Sequence, residues 1–352
     1  MRQITQSAPL ILQRGLSLVE VMIALLLGSL LTYGIVQIFT ANSQTFRLTE
    51  ADARAQEAGR AATDILSRAL RNAGYFGCFP INGFNNNLNT ADGDYSAALH
   101  DIRSAGIYAV NAIRPASAVN DTDFFMVSGA RSNGISISLT AQGTDATSLN
   151  LSTQGGLAAE DIVLISDCAN GDIVEVSGIQ VSGSGATLVA NAANGKPGNS
   201  FTGNSPAGCT AIGTCLSASY AIGSRVMPVY NEAYFIGESG GNRGLYLRDR
   251  KGETGELVPG VVDMRVRFGQ GSVSTGVDNW TNAAGVTNWS GVIAVQVSLL
   301  VQAGRDGLLP NAQTYCYPGW LACDGLTEPY TTASDRRLYR VYTITTTLRN
   351  RV

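Results

Sequence analysis

Leu16-Ser17-Leu18-Val19-Glu20-Val21-Met22-Ile23-Ala24-Leu25-Leu26-Leu27-Gly28-Ser29-Leu30-Leu31-Thr32-Tyr33-Gly34-Ile35-Val36-Gln37-Ile38-Phe39 is the most apolar stretch of this 352-residue chain. As a helix rising 1.5 Å per residue it spans ~36 Å, enough to cross a hydrocarbon core of ~30 Å. From Leu16 to Phe46 a single charge occurs, Glu20. The preceding residues, 1–15, hold Arg2 and Arg14 and no acid. A secretory signal has an apolar core of ~7–15 residues and a small-x-small cleavage site after it. Here the apolar run is longer and no such site follows. A plain membrane anchor accounts for the length but not for Glu20, since a carboxylate inside a membrane helix costs ~2.5–3.5 kcal/mol on insertion scales and so marks a function.

Beyond Phe46 the pattern changes to mixed charge. Ala51, Ala55, Ala58, Ala62, Ile65 and Ala69 recur at steps of three and four, the spacing of one helix face. Glu50 and Arg54, and Asp64 and Arg68, stand at i,i+4, with Glu57 and Arg60 at i,i+3. Asn72-Ala73-Gly74 ends the run, with Gly74 as a left-handed cap. Gly59 is a point of weakness in its middle. The spacing therefore predicts one helix of about 58 residues, ~87 Å long, with a membrane half and an amphipathic half.

Gly15-Leu16-Ser17-Leu18-Val19-Glu20 resembles the processing motif of type IV prepilins. The resemblance implies cleavage by a prepilin peptidase between Gly15 and Leu16, N-methylation of Leu16, and a role for Glu20 in subunit assembly, pairing with a neighbour's N-terminal amine. Opposite charges attract far more strongly in hydrocarbon than in water, so such a pair could set subunit register. Leu16 stands where major pilins usually carry Phe, and Gln37 where many carry a kinking proline, which suits a minor subunit. Arg71-Asn72-Ala73-Gly74-Tyr75-Phe76-Gly77-Cys78, Ser166-Asp167-Cys168, Leu257-Val258-Pro259-Gly260-Val261-Val262-Asp263-Met264 and the run from Arg340 to Arg351 resemble the PilW family of minor pilins. That resemblance implies a non-enzymatic subunit of a type IV pilus, at or near its tip, supporting adhesion and twitching motility. Its implied partners are other minor pilins, the major pilin, the inner-membrane assembly platform and a tip adhesin. It implies residence in the inner membrane before assembly and at the cell surface of a Gram-negative bacterium afterwards. A minor pseudopilin of type II secretion and a pilus-tip DNA-uptake subunit remain as alternatives.

The rest of the chain reads as β. Charged residues are 14% of the whole and glycines number 40, a composition of short strands and polar turns. Strands are predicted at Asp123–Ser128, Ile135–Leu139, Asp161–Ser166, Ile173–Ser177 and Val261–Phe268, the last with apolar Val262, Met264, Val266 and Phe268 alternating with polar residues. Val292–Val301 is nearly all apolar, as in a central strand, and Tyr339–Leu348 follows near the end. The fold class is thus α+β: a long N-terminal helix packed on antiparallel sheets. The expected divisions are a leader at 1–15, a membrane and assembly helix at 16–45, an amphipathic half at 46–74 and a β domain at 75–352. Insertions are expected near 183–216 and 269–291, the latter a hairpin holding both Trp280 and Trp289.

Six cysteines on the exported side of an anchor favour disulfides over zinc. Cys209–Cys215 and Cys316–Cys323 would close small loops, and Cys78–Cys168 would staple the helix end to a strand, among 15 formal connectivities. No nucleophile elbow, zincin, Walker or C-x-x-C motif occurs, and neither cofactor nor metal is expected. His100, the one histidine, reads as a surface or capped residue. Asp92/Asp94 and Asp121/Asp123 do not fit a twelve-residue calcium loop. The net charge of −3 speaks against phosphate neutralisation as the main task. The C-terminal arginines Arg336, Arg337, Arg340, Arg349 and Arg351 read as solvated strand edges, not a nucleic-acid stripe.

Overall fold

The computed structural model describes residues 17–351 except 79–82, 103–104, 139–142, 146–147, 192–195, 205, 208, 210–212 and 327. One 55-residue α-helix, Leu18–Asn72, opens the chain. Among the described residues its first half packs against no other element, and its buried residues begin at Ala51. Two sheets, antiparallel but for one edge strand, pack against the second half. Ala51, Ala55, Gly59, Ala62, Leu66 and Leu70 form the buried stripe, while Ala58, Ile65 and Ala69 are half-buried beside it. The stripe is thus turned by about one residue from the spacing of alanines alone. Gly59 is part of the reason: a Cβ there would fall inside the ring of Tyr342, on the last strand. Gly59 is a socket for that ring, not a weak point in an otherwise solvated helix.

The sheet bearing the helix runs Gly276–Thr281, Val261–Ser272, Val292–Ala303, Leu338–Thr347, all antiparallel. Val292–Ala303 lies inside it, paired on both sides, as its unbroken apolar run requires. The second sheet has eight strands organised around Arg225–Ser239. That strand's first residues pair with Ile162–Ser166, and its remainder lies between Phe124–Ala130 and Asn242–Arg248. Phe84–Asn86 adds at one edge as a parallel partner of Gly171–Glu175. The segment Leu257-Val258-Pro259-Gly260-Val261 carries the chain from one sheet to the other. Gly260 sits at φ +80°, donates to Arg243 O (3.0 Å) and accepts from Gln302 N–H (2.8 Å), so its backbone stitches both sheets.

Several strand expectations change. Ile135–Leu139 is not a strand over its described part; Ser136 and Ile137 make isolated bridges only. A bulge between Val261 and Asp263 moves Val261 into the helix-side core and Val262 to the opposite face, so regular alternation begins at Met264. The insertion expected at 183–216 is one part of a longer excursion, residues 131–224, because Phe124–Ala130 and Arg225–Ser239 are hydrogen-bonded neighbours. This excursion has its own core of Leu149, Leu151, Leu188, Phe201, Leu216 and Tyr220 among others. Residues 269–291 do hold a hairpin, but it is not a separate insertion and it includes Trp280 without Trp289. The strand Val261–Ser272 simply continues into it, Trp280 lies on the edge strand, and Trp289 sits in a later 3₁₀ turn edge-on to Phe268.

Candidate assembly site

Gly15 and Leu16, with the expected leader 1–15, lie outside the described residues. The site therefore begins at Ser17, the helix N-cap. Ser17 Oγ accepts from Glu20 N–H and Glu20 Oε2 accepts from Ser17 N–H, each at 3.2 Å. This reciprocal capping box satisfies two backbone donors that a helix start leaves open. It engages one oxygen of the carboxylate; an ionised carboxylate can accept more bonds through the other.

The surface that follows is unusual for a water-facing helix. Leu18 is 76% exposed, Leu25 69%, Leu31 68% and Phe39 71%. The helix is long and apolar enough to cross a membrane, and none of its most apolar window is buried. Its polar side chains bond within the helix: Ser29 Oγ donates to Leu26 O (2.8 Å), Thr32 Oγ1 to Gly28 O (2.8 Å), Thr40 Oγ1 to Val36 O (3.0 Å), and Gln37 Nε2 to Tyr33 Oη (2.6 Å). Such closure suits a hydrocarbon surrounding, which supplies no competing donors or acceptors, though Thr49 and Thr63 make the same bonds in the second half. Between Val21 and Phe46 there is no charge at all.

The second half is pinned to the β domain by contacts that surface spacing does not reveal. Arg340 Nε and Nη2 fork onto Asp52 Oδ1 (2.9 and 2.7 Å), and the Arg340 guanidinium holds the Asp52 carboxyl below the usual carboxylate range. Arg340 is thus a helix clamp, not a solvated strand edge. Tyr230 Oη donates to Asn72 O (2.7 Å), and Asn350 Nδ2 donates to Ala73 O (3.1 Å). Gly74, at φ +74°, donates to Ser128 O (2.8 Å), and a Cβ on Gly106 would land on the Gly74 backbone. The helix end is therefore locked by a crossing in which Gly106 has no room for a Cβ and Gly74 takes a left-handed φ.

The cysteines lie away from the apolar half. Disulfides join Cys78 to Cys168, Cys209 to Cys215 and Cys316 to Cys323. The first ties the chain just past the helix to the end of strand Ile162–Ser166. The third closes a loop whose Gly319 N–H donates to Ser298 Oγ (2.8 Å) and whose Trp320 ring stands 4.8 Å from the Arg267 guanidinium, opposite Trp280 at 5.1 Å.

His100 is buried, not on the surface, and its Nδ1 accepts from Ser96 N–H (2.9 Å) across a single helical turn; burial lowers its pKa. Asp92 Oδ1 accepts from Asp94 N–H (2.8 Å), and Asp123 Oδ2 accepts from Val266 N–H (2.8 Å), bridging the two sheets. These carboxylates serve backbone. A buried polar knot escaped sequence reading: Asp172, fully buried, accepts from Asn87 Nδ2 (2.7 Å), Ser217 Oγ (2.8 Å) and Tyr220 Oη (2.6 Å). In sequence its only sign is an acid inside an apolar strand.

Residues 233–350 match a family model described as type IV pilus-assembly protein W, and residues 12–34 match one described as prokaryotic N-terminal methylation motif. Searches of the curated proteins and of the solved structures gave no match. The first match covers the whole helix-bearing sheet and the crossover at Gly260; the second covers the approach to the helix and the capping box at its start. Both point to a structural pilus protein, and the apolar helix fits a membrane-anchored one. The chain thus carries a PilW-like region over residues 233–350 and a prepilin-type N-terminal methylation motif over residues 12–34, which together support a PilW-like pilin.

Proposed function

We propose that this chain is a minor pilin that helps initiate a type IV pilus and takes a place at or near its tip, supporting adhesion and twitching. A prepilin peptidase removes residues 1–15, cutting between Gly15 and Leu16, and Leu16 is then N-methylated. Residues 16–45 hold the subunit in the inner membrane and later enter the fibre core. Residues 46–74 join them to the β domain, 75–352, on the exported side. Glu20 meets the N-terminal amine of a neighbouring subunit during assembly, with other minor pilins, the major pilin, the assembly platform and a tip adhesin as partners. The observation that carries this reading is the bare apolar half-helix, with one carboxylate at its start, running unbroken into a half-helix buried largely by the sheet that lies within the PilW match.

The test is to shear surface fibres from intact cells and search them by mass spectrometry for the peptide beginning at methylated Leu16. Its recovery supports processing and incorporation together. A processed form confined to the membrane fraction would favour a secretion pseudopilin, and an uncleaved N-terminus would overturn the pilin reading.

A further inference from the structure

Arginines gather where the helix leaves the β domain. Arg47 is the first charge after Glu20, 27 residues on, or ~40 Å along a helix, which is the thickness of a bilayer with its headgroups. One turn later Ala51 becomes buried. The loop Gly304–Leu308 packs there: a Cβ on Gly304 would lie 3.3 Å from Ala51 Cβ, and Arg305 and Arg47 line the same cleft. Arg336 joins from the next loop, its N–H donating to Asp306 Oδ1 (2.9 Å). Other arginines at this end are neutralised, Arg54 by Glu50, Arg337 by Asp335 and Arg340 by Asp52. Arg47, Arg305 and Arg336 are exposed and make no ion pair among the described residues. Against them stands one carboxylate, Asp306, so this end carries +2 on a chain whose net charge is −3.

We infer that Arg47, Arg305 and Arg336 form a basic collar that binds the anionic headgroups of the membrane before assembly, holding the β domain against the bilayer at a set height. The inference rests on the membrane reading of residues 16–45. Continuity selects the occupant: the arginines lie beside the point where the span emerges. Arg305 lies in the loop packed at Ala51, which is ~6 Å of helix beyond Arg47 and thus within the ~8 Å over which a surface potential acts at physiological salt. Each arginine so placed strengthens attachment by a factor of about five. Leaving the membrane for the fibre then requires breaking these contacts, so the collar opposes premature extraction.

The test uses the full chain reconstituted in vesicles of phosphatidylcholine alone or with 30% phosphatidylglycerol, followed by hydrogen exchange. The expected result is slower exchange at residues 304–308 and 336–337 in the anionic vesicles. The slowing should vanish in 0.5 M NaCl and in the R47Q/R305Q/R336Q variant. Salt and lipid composition test the wild-type chain directly, so the inference does not hinge on how that variant folds. Equal exchange of these loops in both vesicles, with residues 21–46 protected in both, overturns the collar while leaving the membrane reading intact. Absence of protection at 21–46 overturns the membrane reading, and the collar with it.

Discussion

Asp263 shows how one side chain departs from its sequence pattern. It sits among alternating residues of strand Val261–Ser272, on the face that alternation assigns to water. The disulfide loop 316–323 instead roofs that face. Asp263 Oδ2 lies 3.2 Å from Arg265 Nη2, while its Oδ1 is buried without a hydrogen-bond partner among the described residues. Burial pushes its carboxyl up to about 6, with Arg265 offsetting part of the effect. A folded-state value above the unfolded one means that the native chain holds the proton more tightly over that interval. This carboxyl's contribution to stability is therefore complete below pH ~4, falls as pH rises towards 6, and stays lost above it. Asp263→Asn should remove that component, so the variant gains on the wild type between pH 4.5 and pH 7. Urea unfolding at pH 4.5, 5.5 and 7 checks this; a wild-type-to-variant difference that does not change with pH would sink it.

Elements are joined here by links of very different reach. Cys78–Cys168 spans 90 residues and ties the helix terminus to the long excursion, whereas Cys209–Cys215 and Cys316–Cys323 span six and seven. Loop-closure entropy makes the first worth about 4–5 kcal/mol and each of the others about 2–3 kcal/mol. Replacing both Cys78 and Cys168 by serine should thus destabilise the fold most of the three, measured by denaturant midpoint under non-reducing conditions. Equal midpoint shifts for all three pairs would contradict this ranking. The helix itself was legible as an element because two periodicities, continuous apolarity and then steps of three and four, follow each other without a proline. Its buried stripe was less so. Alanines mark the face only coarsely, and Gly59, Leu66 and Leu70 enter it because Tyr342 and the sheet cores select them.

As a whole, the molecule is a bare rod half embedded in a β domain. Its assembly function is expected to depend on Glu20 much more than its folding does. Glu20→Ala deletes one half of the capping box, which costs the exposed helix start about 1 kcal/mol or less, and touches nothing in the core. The variant should keep wild-type thermal stability and membrane association yet be absent, or nearly so, from sheared fibres. Normal incorporation by electron microscopy and fibre mass spectrometry would remove Glu20 from the assembly role.

Local spacing alone determined the long helix, its two halves, the singular position of Glu20 and the central place of Val292–Ala303, because each is written in residues close together in the chain. The tertiary structure decided what joins distant segments. The Arg340–Asp52 clamp links residues 288 apart, the Gly74–Gly106 crossing locks the helix end, and the buried acceptor Asp172 draws donors from two distant segments, at Asn87 and on the strand Cys215–Tyr220. Such contacts leave no periodic trace. Whether a charge is solvated, clamped or buried depends on which surface folds over it, and that is fixed only when the two sheets close on the helix.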